Sequence, residues 1–444
     1  MSRKKFWEVF FNKTNIIPKP AGAQLYECGS GARQYYVENA TANTHAEYAA
    51  LLEAVGFSKS YGNTIENNSF ATYTRDDQIV TLVYTANTQV MRVIMELAEN
   101  TSTSLSDNYD GSGSESTTVT QIGQWYVDTS TEEHEYWEEN YVLGIDLGKY
   151  VTKDFATNYN SGMGYIIRLE DGSFIIVDGG YNTETHAKNL YDVLVKQNGG
   201  EEGIVIAAWI FTHAHDDHVG AFKAFTQSYA DKVTVERFIY NFPTEEEATL
   251  GGQSSPNLGA VKNAMSKYDG AIIVVAHAGQ VFSIRNAKVN ILFTWDMMQP
   301  CTLDYYNGCT MIFNVVAEGK TIMFLGDAGG DSAHSTNELA EVVEIYSATT
   351  LRSDILQASH HGLDTAKETE ALYELIAPDY VFVPCASMYT KIDGTYIRLE
   401  ERAAWKISGA EKYLAGSSVT VMTLGDTLSV SVSDNVNAYI TKNS

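Results

Sequence analysis

Basic residues are scarce in this chain: 30 lysines and arginines stand against 56 aspartates and glutamates, a formal net charge of -26. A surface of that sign repels polyphosphate at a distance, which argues against a nucleic acid partner. No cationic run beyond Arg3-Lys4-Lys5 offsets it. Cysteine is scarce too. Four of them (Cys28, Cys301, Cys309, Cys385) do not make a disulfide scaffold in 444 residues, although Cys301 and Cys309 could pair. Long apolar runs are missing, and none approaches the about 20 residues of a membrane-spanning helix. The stretch from Phe6 to Phe11 is too short and too interrupted for a signal-peptide core. These shortages lead to the expectation of a soluble, cytoplasmic protein with no membrane partner; its oligomeric state is not legible.

What is present is ordinary globular material, 44% hydrophobic and 11% aromatic. A chain of 444 residues is too long for one compact core, so two domains are expected. Residues 1–110 read as a small α+β accessory unit. It has an amphipathic helix, Ala46–Val55, stopped at Gly56, and three strands, Ser69–Thr74, Ile79–Ala86 and Val90–Leu97. The Thr-, Ser-, Asp-, Asn- and Gly-rich stretch 100–118 reads as a linker or mobile loop. In residues 111–444, many short apolar strands alternate with helices. Glu132–Tyr141 reads as a loop or helical turn. Two sheets covered by helices suit this pattern.

One stretch dominates the second part. Val205–Phe211 is strand material, and it breaks into Thr212-His213-Ala214-His215-Asp216-Asp217-His218 before a helix expected from Phe222. Five ionisable side chains fall within six positions at a strand end, an arrangement that is costly unless something compensates it. Imidazole nitrogen and carboxylate oxygen are the donors that zinc and its first-row neighbours accept. On extended backbone His213 and His215 share a face and can grip one ion. A turn after His215 would aim Asp217 and His218 at a second ion. Three more strand ends carry candidates: Gly326-Asp327, Ser359-His360-His361-Gly362 and Asp178, the last able to orient a ligating histidine from behind.

His213-Ala214-His215-Asp216-Asp217-His218 is similar to the H-x-H-x-D-H signature of the metallo-β-lactamase superfamily, which the chain resembles from about Gly164 to Val430. The resemblance implies a four-layer αββα sandwich with metal ions along one edge. It assigns His213, His215, Asp217, His218, Asp327, His360 and His361 as ligands of two divalent ions, with Asp327 bridging and Asp178 in a supporting place. Many members carry a further histidine upstream of the G-D aspartate, where this chain reads Asp304-Tyr305-Tyr306-Asn307-Gly308-Cys309. Asn307 there, with the late His-His-Gly, resembles the subgroup of the ComEC proteins and phosphorylcholine esterases. Either His360 and His361 both ligate, one per ion, or the first site is open or completed by water, with Cys309 a weaker substitute.

The activity so implied is hydrolysis by a metal-bound hydroxide, because two divalent ions lower the pKa of a shared water from ~15.7 toward ~7. Asp327 and Asp217 hold the ions, and Asp216 or Asp217 could take the displaced proton. Zinc is the first choice, with manganese or iron open. The expected substrate is a small phosphodiester or related ester. A carboxylic ester, lactone, thioester or amide is the alternative, and a metal-stabilised binding module without catalysis is a third reading. Tyr305, Tyr306, Tyr389, Tyr396 and Trp405 could wall the pocket, even as a cage for a quaternary ammonium. His45, His134, His186, His277 and His334 are assigned to structure or surface.

Overall fold

The computed structural model describes residues 17–28, 32–125, 131–138, 141–142, 145–146, 149–156, 161–250, 256–329, 337–364, 366–392 and 395–441. Its centre is a pair of sheets, each built from strands that alternate their apolar side chains between two faces. One is nine-stranded, in the order Ile272–Val275, Arg237–Tyr240, Ile204–Phe211, Phe174–Asp178, Gly164–Arg168, Thr118–Ile122, Val419–Thr423, Ser429–Ser433, with Val233–Val235 also paired to Ile204–Phe211. The other is seven-stranded: Val281–Ile284, Ala287–Phe293, Ile312–Ala317, Lys320–Phe324, Ile355–Gln357, Tyr380–Val383, Glu411–Leu414.

Alternation decides the layers. Ile167, Ile175, Val177 and Ile210 of the first sheet share one apolar core with Val289, Ile291, Phe313 and Phe324 of the second. The neighbours Ile166, Ile176, Trp209 and Phe211 point the other way, into a core with the helices Glu184–Asn198 and Asp216–Tyr229. Across the molecule, Met323, Leu356 and Val381 face Glu338–Ile345 and Lys367–Ile376 in the same manner. The result is the expected αββα sandwich.

The N-terminal unit is richer than its sequence pattern shows. Its helix is Ala42–Ala54, started by a capping box in which Thr41 and Thr44 satisfy each other's backbone N–H. Its sheet has six antiparallel strands, because Gln24–Cys28, Ala32–Val37 and Ser58–Ile65 join the three expected ones. One face packs on the helix through Tyr48 and Leu52. The other enters the main core through Ala32, Phe70, Val83 and Ile94. At that junction the ring of Phe70 lies against Gly279, where a Cβ would sit 2.0 Å from Phe70 Cγ.

Two expectations are corrected here. Residues 101–107 form a tied strap: Ser102 N–H donates to Ile273 O at 2.9 Å, Ser283 N–H to Leu105 O at 2.8 Å, and Leu105 is buried. Polar composition suggests mobility, but the edges of two sheets supply the missing backbone partners. Arg285 then pins the strap through Asp107 at 2.7 Å. Likewise Thr131–Glu138 is a strand, paired antiparallel with Lys149–Ala156. Its hairpin partner lies beyond the reach of a local pattern.

Candidate metal centre

Four strand tips meet at one edge of the sandwich, at the carboxyl ends of parallel strands where open α/β sheets place their ligands. Ile204–Phe211 delivers Thr212, His213 and His215, and the chain then enters the helix Asp216–Tyr229 directly. The helix therefore starts within the motif, earlier than expected. Asp217 and His218 sit on its first turn, with the His218 ring 4.2 Å from that of His213. Asp178, Gly326, His360 and His361 all adopt left-handed backbone, with φ of 55°, 53°, 46° and 55°. Glycine is required at 326: a Cβ there would lie 2.6 Å from Thr310 Cγ2 and 2.8 Å from Thr212 Cβ.

Among the described residues two groups can hold a cation: His213, His215 and Asp327, and separately Asp217, His218, Asp327 and His361. Asp327 belongs to both. The hydrogen bonds behind the rings show which nitrogen of each faces inward. His218 Nδ1 lies 2.8 Å from Asp178 Oδ2, and His361 Nδ1 lies 2.8 Å from Pro384 O, so both donate there. Thr212 Oγ1, itself donating to Asp178 Oδ2 at 2.7 Å, accepts from His213 Nδ1 at 3.2 Å. With Nδ1 carrying the proton, each Nε2 is left as a lone pair. Those of His218 and His361 face carboxylate oxygens, and that of His213 faces a ring nitrogen of His215. His218 Nε2 is 3.2 Å from Asp327 Oδ1, His361 Nε2 is 3.1 Å from Asp217 Oδ2, and His213 Nε2 is 2.9 Å from His215 Nδ1.

Acceptor against acceptor in a buried site calls for a cation. His218 Nε2 and Asp327 Oδ1 are both buried without a hydrogen-bond partner. Titration follows the same logic. Burial pushes His213 and His215 below the usual imidazole range, the neutral form that a metal needs. For His218 and His361 burial acts the same way, but the facing carboxylates outweigh it and raise both, His361 to about 9. Without an ion a proton therefore occupies the place between ring and carboxylate, and it must leave when a cation binds. In reverse, Asp217 and Asp327 are held below the carboxylate range despite burial by His218 and His361. The donor set thus fits divalent ions.

Not every expected residue arrives. Asp216 turns outward and pairs with Lys223 at 2.6 Å, because the first helical turn points successive residues apart. The His360 ring is half-buried, belongs to neither group and lies 6.3 Å from the His361 ring. Tyr306 is 2% exposed and packs its ring 4.9 Å from that of His215, which makes it a wall of the site. Asn307, buried beside it, donates to the Tyr305 hydroxyl at 3.1 Å, and its Oδ1 has no partner. Tyr389 lies with its hydroxyl 3.2 Å from Glu400, and Trp405 packs against the main core. The side chain of Tyr396, like His134 and His334, lies outside the described residues. His186 Nδ1 accepts from Tyr181 N–H, a structural role. Glu338 was missed: a fully buried carboxyl accepting from Gly329 N–H at 2.9 Å, its pKa pushed up to about 8 by burial. Its place at a helix start reads from sequence as an ordinary dipole partner.

Residues 160–358 match the family profile of the metallo-β-lactamase superfamily. Over that stretch, a little under half of the chain, the sequence is similar to that superfamily. The profile match and the donor set together support a metal-dependent hydrolase. Three solved structures illustrate the similarity. The metallo-β-lactamase fold protein YhfI from Bacillus subtilis is 10% identical, with TM-score 0.36, covering 71% of this chain and 100% of its own. Unliganded yeast PDE1 is 12% identical at TM-score 0.38, covering 70% and 99%. CmlA, a diiron β-hydroxylase from Streptomyces venezuelae, is 12% identical at TM-score 0.34, covering 62% and 55%. Likeness this remote says nothing about what this chain acts on. No curated protein sequence matches the chain.

Proposed function

We propose that the protein hydrolyses a small phosphodiester or related ester at a two-cation centre. The observation that carries this reading is the shared position of Asp327 between two groups of donors whose lone pairs face one another. His213, His215 and Asp327 would hold one ion, and Asp217, His218, Asp327 and His361 the other. Zinc is favoured by the imidazole share, with manganese or iron as alternatives. When bound, such a pair supplies activation of water at neutral pH and polarisation of the ester oxygen under attack. The chain's own part is to hold the ring nitrogens and carboxylates in place through Asp178, Thr212 and Pro384.

A net charge of -26 supports a small or zwitterionic substrate over polynucleotide. The Asn307 and Ser359-His360-His361-Gly362 sequences support kinship with the ComEC-like and phosphorylcholine esterase-like subgroup. Among the described residues no helix is long and apolar enough to cross a membrane. Cytoplasmic location remains part of the proposal. The test is zinc- or manganese-loaded protein offered bis(p-nitrophenyl) phosphate, p-nitrophenyl acetate and nitrocefin. Preferential turnover of the first is expected. Turnover of the other two alone would shift the reading to acyl substrates, and metal uptake without any turnover would favour a binding module.

A further inference from the structure

The chain turns out of Ile355–Gln357 through three consecutive left-handed residues, His360 at φ 46°, His361 at 55° and Gly362 at 77°. Side chains other than glycine are strained there, and such strain concentrates where function demands it. Hydrogen bonds hold the turn: His360 N–H donates to Gly326 O at 3.0 Å, Gly362 N–H to Ser359 O at 2.8 Å, and Leu363 N–H to His360 O at 2.9 Å. For His361 the strained backbone has a clear use, since it aims Nε2 at Asp217 and Asp327. For His360 the metal explains nothing, because its ring is in neither donor group.

The backbone of His360 is nevertheless fixed at the site. It is bonded to the residue preceding Asp327, and the His360 ring lies 6.3 Å from that of His361. It is half-buried, whereas His213, His218 and His361 are closed off, and no hydrogen bond to it is seen among the described residues. An N–H donor carried on a pinned backbone at the rim of a cation site has one natural recipient, an oxygen of the reacting group.

We propose that His360 contacts substrate: its imidazole N–H hydrogen-bonds a non-bridging oxygen of the phosphoryl or acyl group attacked at the metal centre. The assignment rests on the hydrolase reading and replaces the metal-ligand role that the sequence suggests for this residue. It requires only the neutral ring.

The experiment compares zinc-loaded wild type with His360→Gly, which suits left-handed backbone, and His360→Asn, which suits it and keeps a donor. Metal content is measured by elemental analysis, and binding of inorganic phosphate by calorimetry. The expected result is unchanged zinc content in both variants. Phosphate affinity should fall about tenfold or more in His360→Gly, the worth of one hydrogen bond to a charged group, with partial recovery in His360→Asn. Loss of zinc from His360→Gly would make it a ligand and overturn the proposal. Unchanged phosphate affinity, or no phosphate binding by zinc-loaded wild type, would overturn it too. Absence of metal uptake by wild type would sink the hydrolase reading with it, whereas the other failures leave that reading standing.

Discussion

At the scale of single residues, three imidazoles each give one nitrogen to the protein and one to the cation site. Asp178, Thr212 and Pro384 receive the inner protons of His218, His213 and His361, and so determine which lone pairs remain. Asp327 differs from the rest because it serves both donor groups. Asp327→Asn should therefore lose metal and activity together, by more than the ~10–100-fold that partners behind the ligands contribute. Asp216→Asn should leave both within about twofold, since its side chain turns from both donor groups to a part-buried pairing with Lys223. Elemental analysis beside ester hydrolysis checks the pair. Metal retained in the first variant, or activity lost in the second, would show that the wrong aspartate had been assigned.

At the scale of elements, close approach of backbone sets the positions of whole segments. Gly279 turns between Ile272–Val275 and Val281–Ile284 with φ of 83° and accepts the Phe70 ring of the N-terminal sheet. The Gly279 carbonyl also accepts from Tyr61 at 2.9 Å and Asn63 at 3.0 Å. Gly279→Ala should destabilise the protein by roughly 1–3 kcal/mol, from overpacking and a backbone that alanine resists. The urea midpoint should fall while metal content per folded chain stays constant. An unchanged midpoint would mean that Phe70 moves aside freely.

At the scale of the whole molecule, the N-terminal sheet is clasped to the sandwich by a buried triad. His277 Nε2 meets Glu96 at 2.7 Å and Nδ1 meets Asp296 at 3.0 Å, and Asn241 secures the other Asp296 oxygen. Burial opposes charge on His277, but Glu96 and Asp296 outweigh it and raise its pKa to about 10. A raised folded-state pKa stabilises fully below the unfolded value of about 6.5 and is lost as pH climbs toward the folded value. Stability should thus decline between pH 7 and 10 in wild type, and Glu96→Gln should lower it at pH 7 and flatten that slope. Urea titrations at successive pH values measure this; an equal slope in both proteins would remove the clasp from the account. We propose the division into residues 1–110 and 111–444 as one of function, since Phe70, Val83 and Ile94 share the main core.

The sequence by itself determined the sandwich and named most residues of the candidate site. Short apolar runs mark Tyr165–Leu169, Thr321–Leu325 and Ile355–Ala358 locally, and a polar cluster at a strand end is visible without knowing its neighbours. It also determined that His277 would be structural. Only the tertiary structure decided which ring nitrogens face inward, that Asp216 turns to Lys223, and that His360 stands apart from His361, because these depend on helix phase and left-handed turns. The strap at 101–107 and the hairpin strand Thr131–Glu138 were hidden for a related reason. Their partners are distant in sequence, and a polar strand gains its order from the edge it joins rather than from its own composition.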